Sequence, residues 1–114
     1  MSRAATTSDA FNAIAESSRR DILDALIGGE LSVNELVEQL QAMSQPQVSK
    51  HLGVLKTVDL VRCRTAGRRR LYRVNAPALK PVNDWLAGFE SLWSERLDRL
   101  DDYLTDLQQE EHKS

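Results

Sequence analysis

The residues with most chemistry to offer lie in one run, Ser44-Gln45-Pro46-Gln47-Val48-Ser49-Lys50-His51-Leu52-Gly53-Val54-Leu55-Lys56. Ser44, Gln45, Gln47, Ser49 and His51 can both donate and accept hydrogen bonds, and Lys50 donates. Ser44 followed by Gln47 at the third position is a capping-box signature. Pro46 is tolerated just after it, because the first N–H groups of a helix have no intrahelical partner. At about 100° per residue, Val48, Leu52 and Leu55 fall on one stripe. The remaining surface is Gln, Ser and Lys without an acid. Such a face suits base edges in a DNA major groove: glutamine can meet adenine with two hydrogen bonds, serine adapts, and lysine suits a phosphate or a guanine. The candidate contact set is therefore Ser44, Gln45, Gln47, Ser49, Lys50 and His51. His51 lies toward the side of the buried stripe, where a phosphate contact or packing is the other use.

The second chemical group is arginine. Arg62, Arg64, Arg68, Arg69, Arg70 and Arg73 stand within twelve residues, with no acid among them. The net charge of −2 would argue against a nucleic-acid partner, but the charge is segregated. Residues 1–61 hold 5 basic and 8 acidic side chains, residues 62–80 hold 7 basic and none acidic, and residues 81–114 hold 3 basic and 9 acidic. Phosphate responds to the local field, not to the total. A solvated charge run would have the same composition. The pattern adds form to it: Leu60 to Arg64 is strand-like, Thr65-Ala66-Gly67-Arg68 turns, and Arg69 to Val74 returns. An arginine-tipped hairpin directly after a polar-faced helix is a wing. Arg68, Arg69 and Arg70 at its tip would reach phosphates or a minor groove, with Arg62 and Arg64 along the flank.

Other chemistries are poorly served. There is no paired acid–base constellation, nucleophile motif, phosphate loop or metal cluster, so the chain does not read as an enzyme and no cofactor is expected. Its one cysteine cannot form an intramolecular disulfide. Cys63 is flanked by Arg62 and Arg64, which would favour thiolate. Strand alternation nevertheless puts it on the Val61 face, as a small buried residue. No apolar run approaches membrane-spanning length, and residues 1–11 have no signal-peptide core. The expected location is the cytoplasm.

Positioning these groups requires a small helical scaffold. With 5% aromatic residues and 5 Gly in 114 residues, one helix-rich domain is expected. It should span residues 8–109, between a flexible tail at 1–7 and a polar tail at 110–114. Thr7 or Ser8 caps a first helix with Ala10, Phe11, Ile14 and Ala15 on one stripe. Ser17-Ser18 breaks and recaps, and the second helix buries Ile22, Leu23, Leu26 and Ile27 before Gly28-Gly29 stops it. Ser32 and Glu35 form a second capping box, opening a helix with Val33, Leu36, Val37 and Leu40 inward. Gln41-Ala42-Met43 then turns into the polar-faced helix. That is helix-turn-helix spacing, although a plain helical hairpin has it too. A last helix, entered near Pro77 or after Pro81, carries Trp85, Phe89, Leu92, Trp93, Leu97, Leu100, Tyr103, Leu104 and Leu107 at steps of three and four. This stripe exceeds what so small a domain can cover, unless the helix folds back on it. It predicts a homodimer joined by Phe11, Ile14, Trp85, Phe89, Trp93, Leu97, Leu100 and Leu104. The expected fold is mainly α with a small β-hairpin: a winged helix-turn-helix of about five helices plus a two-stranded wing.

Four segments resemble the ArsR/SmtB family of winged-helix transcriptional repressors. They are Ala15-Glu16-Ser17-Ser18-Arg19-Arg20-Asp21-Ile22-Leu23, Glu30-Leu31-Ser32-Val33-Asn34-Glu35-Leu36, Ser44-Gln45-Pro46-Gln47-Val48-Ser49-Lys50-His51-Leu52, and Val61-Arg62 through Gly67-Arg68-Arg69-Arg70-Leu71-Tyr72. The resemblance covers about residues 9–74. It implies a homodimer joined by first and last helices, an inverted-repeat operator in double-stranded DNA near the chain's own promoter, and repression relieved by a signal. There are departures. Ser32 and Asn34 stand where metal-sensing members place two thiolates, and both are poor ligands for soft metals. His51 and His112 are the only histidines, too few for the family's zinc arrangement. Gly53 stands where a longer, often basic residue is frequent. The chain thus resembles members without a recognisable metal site, and its effector is not indicated. The alternatives are a metal-responsive repressor with an unusual carboxylate site, and a winged-helix module that uses Trp85 and Trp93 to bind protein instead of DNA.

Overall fold

The computed structural model describes residues 7–112. Their order is α1 (Thr7–Ile14), α2 (Ser17–Leu26), α3 (Val33–Leu40), α4 (Gln45–Thr57), β1 (Val61–Ala66), β2 (Arg69–Val74), a 3-10 turn (Ala76–Leu79), α5 (Lys80–Ala87) and α6 (Glu90–His112). Two compact units result, one running up to Val82 and the other starting at Asn83.

In the first unit, the stripes set by local spacing meet in one core. Ile22 of α2, Leu36 of α3, Val48, Leu52 and Leu55 of α4, and Leu60 and Val61 at the foot of the hairpin are all but fully buried. Each such side chain removed from water contributes roughly 1.5–3 kcal/mol. Both capping boxes form. Ser32 Oγ accepts the Glu35 N–H at 3.2 Å and Glu35 Oε1 accepts the Ser32 N–H at 3.0 Å. Ser44 Oγ accepts the Gln47 N–H at 3.3 Å and Gln47 Oε1 accepts the Ser44 N–H at 2.8 Å. Between them Gln41 ends α3 in the left-handed region (φ 44°), which sends the chain directly into α4.

The start of the chain differs from expectation in its caps. α1 already includes Thr7 and Ser8, so its cap and the tail before it lie outside the described residues. Glu16, not Ser17 or Ser18, holds the N-cap position of α2, and it makes no side-chain cap bond. The junction is closed by arginines instead. Arg19 donates to the carbonyls of Ala13 (2.6 Å) and Asn12 (3.2 Å), and Arg20 to those of Ile14 (2.8 Å) and Ala15 (3.1 Å). These carbonyls lie at and just beyond the end of α1, where intrahelical partners run out. Ile27, expected in the core, is 77% exposed at the C-cap position of α2.

The hairpin is antiparallel, with Val61 opposite Val74, Cys63 opposite Tyr72 and Ala66 opposite Arg69. Thr65 and Ala66, expected in the turn, are paired strand residues. The turn is Gly67-Arg68, with Gly67 at φ 65°, a conformation glycine adopts without steric cost. Tyr72 and Leu31 exchange two backbone hydrogen bonds, Tyr72 N–H to Leu31 at 2.8 Å and Leu31 N–H to Tyr72 at 3.1 Å. This bridge fastens the hairpin to the entry of α3. At its foot, buried Asn75 donates to the Asp59 carbonyl at 2.8 Å.

The expected last helix is divided in two, giving six α-helices among the described residues. α5 and α6 are separated at Gly88-Phe89, where the Gly88 N–H reaches the Trp85 carbonyl (3.2 Å) and the Phe89 N–H reaches that of Leu86 (2.9 Å). These are three-residue steps that tighten the helix end. Glycine is among the weakest helix formers, and the apolar stripe ran through it without registering that. The Trp85 and Phe89 rings meet edge to face at 5.2 Å and 70°. α6 includes Glu110, so it runs beyond the expected boundary at residue 109, and residues 113–114 lie outside the described residues.

Candidate nucleic-acid interface

Burial of Val48, Leu52 and Leu55 turns Gln45, Gln47, Ser49 and Lys50 of α4 outward, with the capping residue Ser44 exposed at its start. The two glutamines are not equivalent. Gln47 Oε1 is engaged by the Ser44 N–H. Reading adenine with two bonds needs that oxygen as an acceptor, and in Gln47 one of its two lone pairs is already taken and the amide is drawn toward the cap. The amide of Gln45 has no partner among the described residues and keeps both functions.

His51 is turned the other way. Its side chain is only 14% exposed, and its Nε2 lies 3.6 Å from Glu16 Oε1. Its Nδ1 is buried without a hydrogen-bond partner. Glu16 also takes Arg19 at 2.8 Å. At the border of the apolar stripe, the ring packs toward the α1–α2 junction, the packing use open to His51 from its position.

The wing arginines are exposed, but three of them are paired, Arg62 by an acid three residues before it and Arg64 and Arg69 by acids 34 residues away. Arg62 bonds to Asp59 at 3.3 Å, and Arg64 bonds to Glu30 at 2.7 Å. Arg69 pairs with Glu35, which also closes the α3 capping box. The Arg64 hydrogen bond holds the Glu30 carboxyl below the usual carboxylate range. For Glu35 the Ser32 backbone N–H is the larger cause, followed by the Ser32 side chain, with Arg69 adding to it. Arg64 is raised in turn by Glu30. Arg68 has no ion-pair partner among the described residues. Arg70 lies beside the Tyr72 hydroxyl, whose pKa is raised chiefly by burial and then by Cys63 across the strand pair. Cys63 itself is half-buried, on the Val61 face.

One open cleft of about 440 Å³ joins three parts that are distant in sequence. Ser32, Val33, Asn34 and Glu35 come from the start of α3, Gln45 from the first turn of α4, and Arg68, Arg69 and Arg70 from the wing tip. Gln45, with its amide unengaged, and the tip arginines therefore border one space. Ser32 Oγ is bound in its cap, and no group of three or more His, Cys, Asp or Glu residues able to hold a metal occurs among the described residues. No described helix is long and apolar enough to cross a membrane.

The proposed dimer residues separate into two groups. Phe11 and Ile14 are half-buried in the first unit. In the second, Trp85, Phe89, Trp93, Leu97, Leu100 and Leu104 are exposed by 38–58%.

A three-helix core with its third helix polar outside, followed by an arginine-tipped hairpin, defines a winged helix-turn-helix. Residues 14–64 match a family model described as a helix-turn-helix domain. The chain is 42% identical over 80 residues to the HTH-type transcriptional regulator Rv2034 of Mycobacterium tuberculosis, covering 70% of this chain and 74% of that protein. It is 32% identical over 79 residues to the transcriptional repressor SdpR of Bacillus subtilis, covering 69% and 87%. Among solved structures, an ArsR-like transcriptional regulator from Rhodococcus sp. RHA1 superposes with a TM-score of 0.65 at 26% identity, over 82% of this chain and 88% of that one. A possible transcriptional regulator for arsenical resistance gives 0.62 at 37% identity, over 81% and 92%. The chain belongs to the ArsR family of helix-turn-helix transcriptional regulators. It is a regulator and not an enzyme.

Proposed function

We propose that the chain acts as a homodimeric repressor that reads an inverted-repeat operator, including one upstream of its own gene, through α4 and steadies itself on the backbone with the wing. The observation that carries this reading is the cleft in which Gln45 faces the wing tip. Gln45 and Ser49 take base edges, and Gln47 adds a donor. Lys50 takes a phosphate or a guanine, and Ser44 supports the first turn near the DNA. Arg68 and Arg70 supply phosphate or minor-groove contacts, with Arg62, Arg64 and Arg69 behind them. The exposed stripe Trp93, Leu97, Leu100 and Leu104 is the surface a second copy covers. Two-fold pairing then places two α4 helices in successive major grooves, about 34–36 Å apart.

The test is retardation of the chain's own upstream DNA in a gel, repeated across salt. The reading expects a shifted band at low salt that fades as salt rises, since phosphate contacts release counterions. No shift at low salt would reject it in favour of a protein-binding module.

A further inference from the structure

We propose that Glu30 and Glu35 are built-in counter-ions of the wing: they hold Arg64 and Arg69 on the protein, so that DNA phosphates gain these arginines only by displacing a carboxylate. The inference rests on the DNA-binding reading above and concerns what limits that binding.

The two acids are less exposed than the arginines they hold, at 28% and 41%. Glu35 is anchored by the α3 capping box, in which its Oε1 accepts the Ser32 N–H at 3.0 Å. Glu30 precedes Leu31, whose backbone is bridged to Tyr72 of β2. Arg64 and Arg69 reach them from the strands on long side chains that remain 57% and 59% exposed. Exposed ion pairs of this kind contribute little net stability and exchange readily. A phosphate offers a guanidinium the same two-oxygen geometry as a carboxylate. When DNA arrives, the arginines are therefore the members that move, and the acids stay behind. Glu35 and Arg69 line the same cleft as Gln45, so this exchange would take place beside the reading helix. The carboxyls, held below their ordinary range, are charged at neutral pH. Each pair subtracts from the sequence-independent part of binding and leaves the base-reading side chains untouched. Asp59 is a different case, because it binds Arg62 from only three residues away and also anchors Asn75.

The experiment uses the full chain with Glu30→Gln and Glu35→Gln, against a duplex from its own upstream region and a random duplex of equal length, across salt. Glutamine serves at the third position of a capping box, so Glu35→Gln keeps the α3 cap while losing the charge. Each variant should tighten binding to both duplexes, by about 2- to 5-fold. Each should also steepen the salt dependence, toward one further phosphate contact. The decisive arm is the paired variant: Glu30→Gln should have no effect once Arg64 is Gln, and Glu35→Gln none once Arg69 is Gln. Tightening that persists without the arginine would mean simple repulsion and would overturn the proposal. Weaker binding would overturn it too, by showing that the acids position the wing. A wild-type chain that binds neither duplex at low salt removes the DNA-binding reading itself, an outcome distinct from the other two.

Discussion

Gln47 Oε1 accepts the backbone N–H of Ser44 at 2.8 Å, so one of the two glutamines on the exposed start of α4 is partly committed to its own helix. The relationship separates two residues that composition makes equal. Gln45 retains an acceptor and two donors for a base, whereas Gln47 serves the cap first.

Gln45→Ala should therefore cost about 1–3 kcal/mol of operator affinity and relax the preference at one base position. Gln47→Ala should show a different signature. It loses about 1 kcal/mol of helix capping, visible as a lower Tm without DNA, together with a smaller change in sequence preference. Binding to a panel of singly substituted operators, alongside thermal melts, distinguishes the two.

The wing should behave as a positioning element. Arg68→Ala with Arg70→Ala should weaken binding to operator and random DNA alike, and should flatten the slope of log affinity against log salt by about two. An altered base preference at unchanged salt slope would reverse the assignment of wing and helix.

A pH dependence follows from Glu30 and Glu35. Their carboxyls titrate lower in the folded chain than the usual carboxylate value. The stability they contribute is fully present above the unfolded value and is lost as pH falls through the folded one. Melting temperature should accordingly fall on acidification below the ordinary carboxylate range. It should fall less steeply in the Glu30→Gln, Glu35→Gln double variant, and equal slopes for the two proteins would remove both groups from the account.

Much of this could be read from local sequence, because the interactions involved are local. Both capping boxes, the Val48, Leu52 and Leu55 stripe and the glycine turn of the hairpin depend on residues a few positions apart, and all form. What escaped depends on distant residues or on helix ends. Glu30 and Glu35 each lie 34 residues from the arginine they hold, so the acid-free stretch of sequence is not acid-free in space. Arg19 and Arg20 closing α1 and the break at Gly88 follow from where helices stop, which apolar spacing defines poorly. His51 sits at the edge of the stripe, where spacing alone does not fix its direction, and its ring lies beside Glu16.

The proposed dimer surface can be probed at its middle. Leu100 is 50% exposed on α6, and Leu100→Glu places a charge in the proposed apolar seam without touching the first unit's core. Sedimentation should show a shift from dimer to monomer. Operator affinity should drop steeply while the helical signal persists. A wild-type chain that sediments as a monomer would remove the two-fold reading.

The central claim is that two α4 helices and their wings read one symmetric site. Hydroxyl-radical footprinting of the full chain on its own upstream DNA tests it most directly. Two protected half-sites related by a two-fold axis and centred about one helical turn apart are expected, flanked by protection from the wings. A single asymmetric footprint, or protection that follows no inverted repeat, would contradict it.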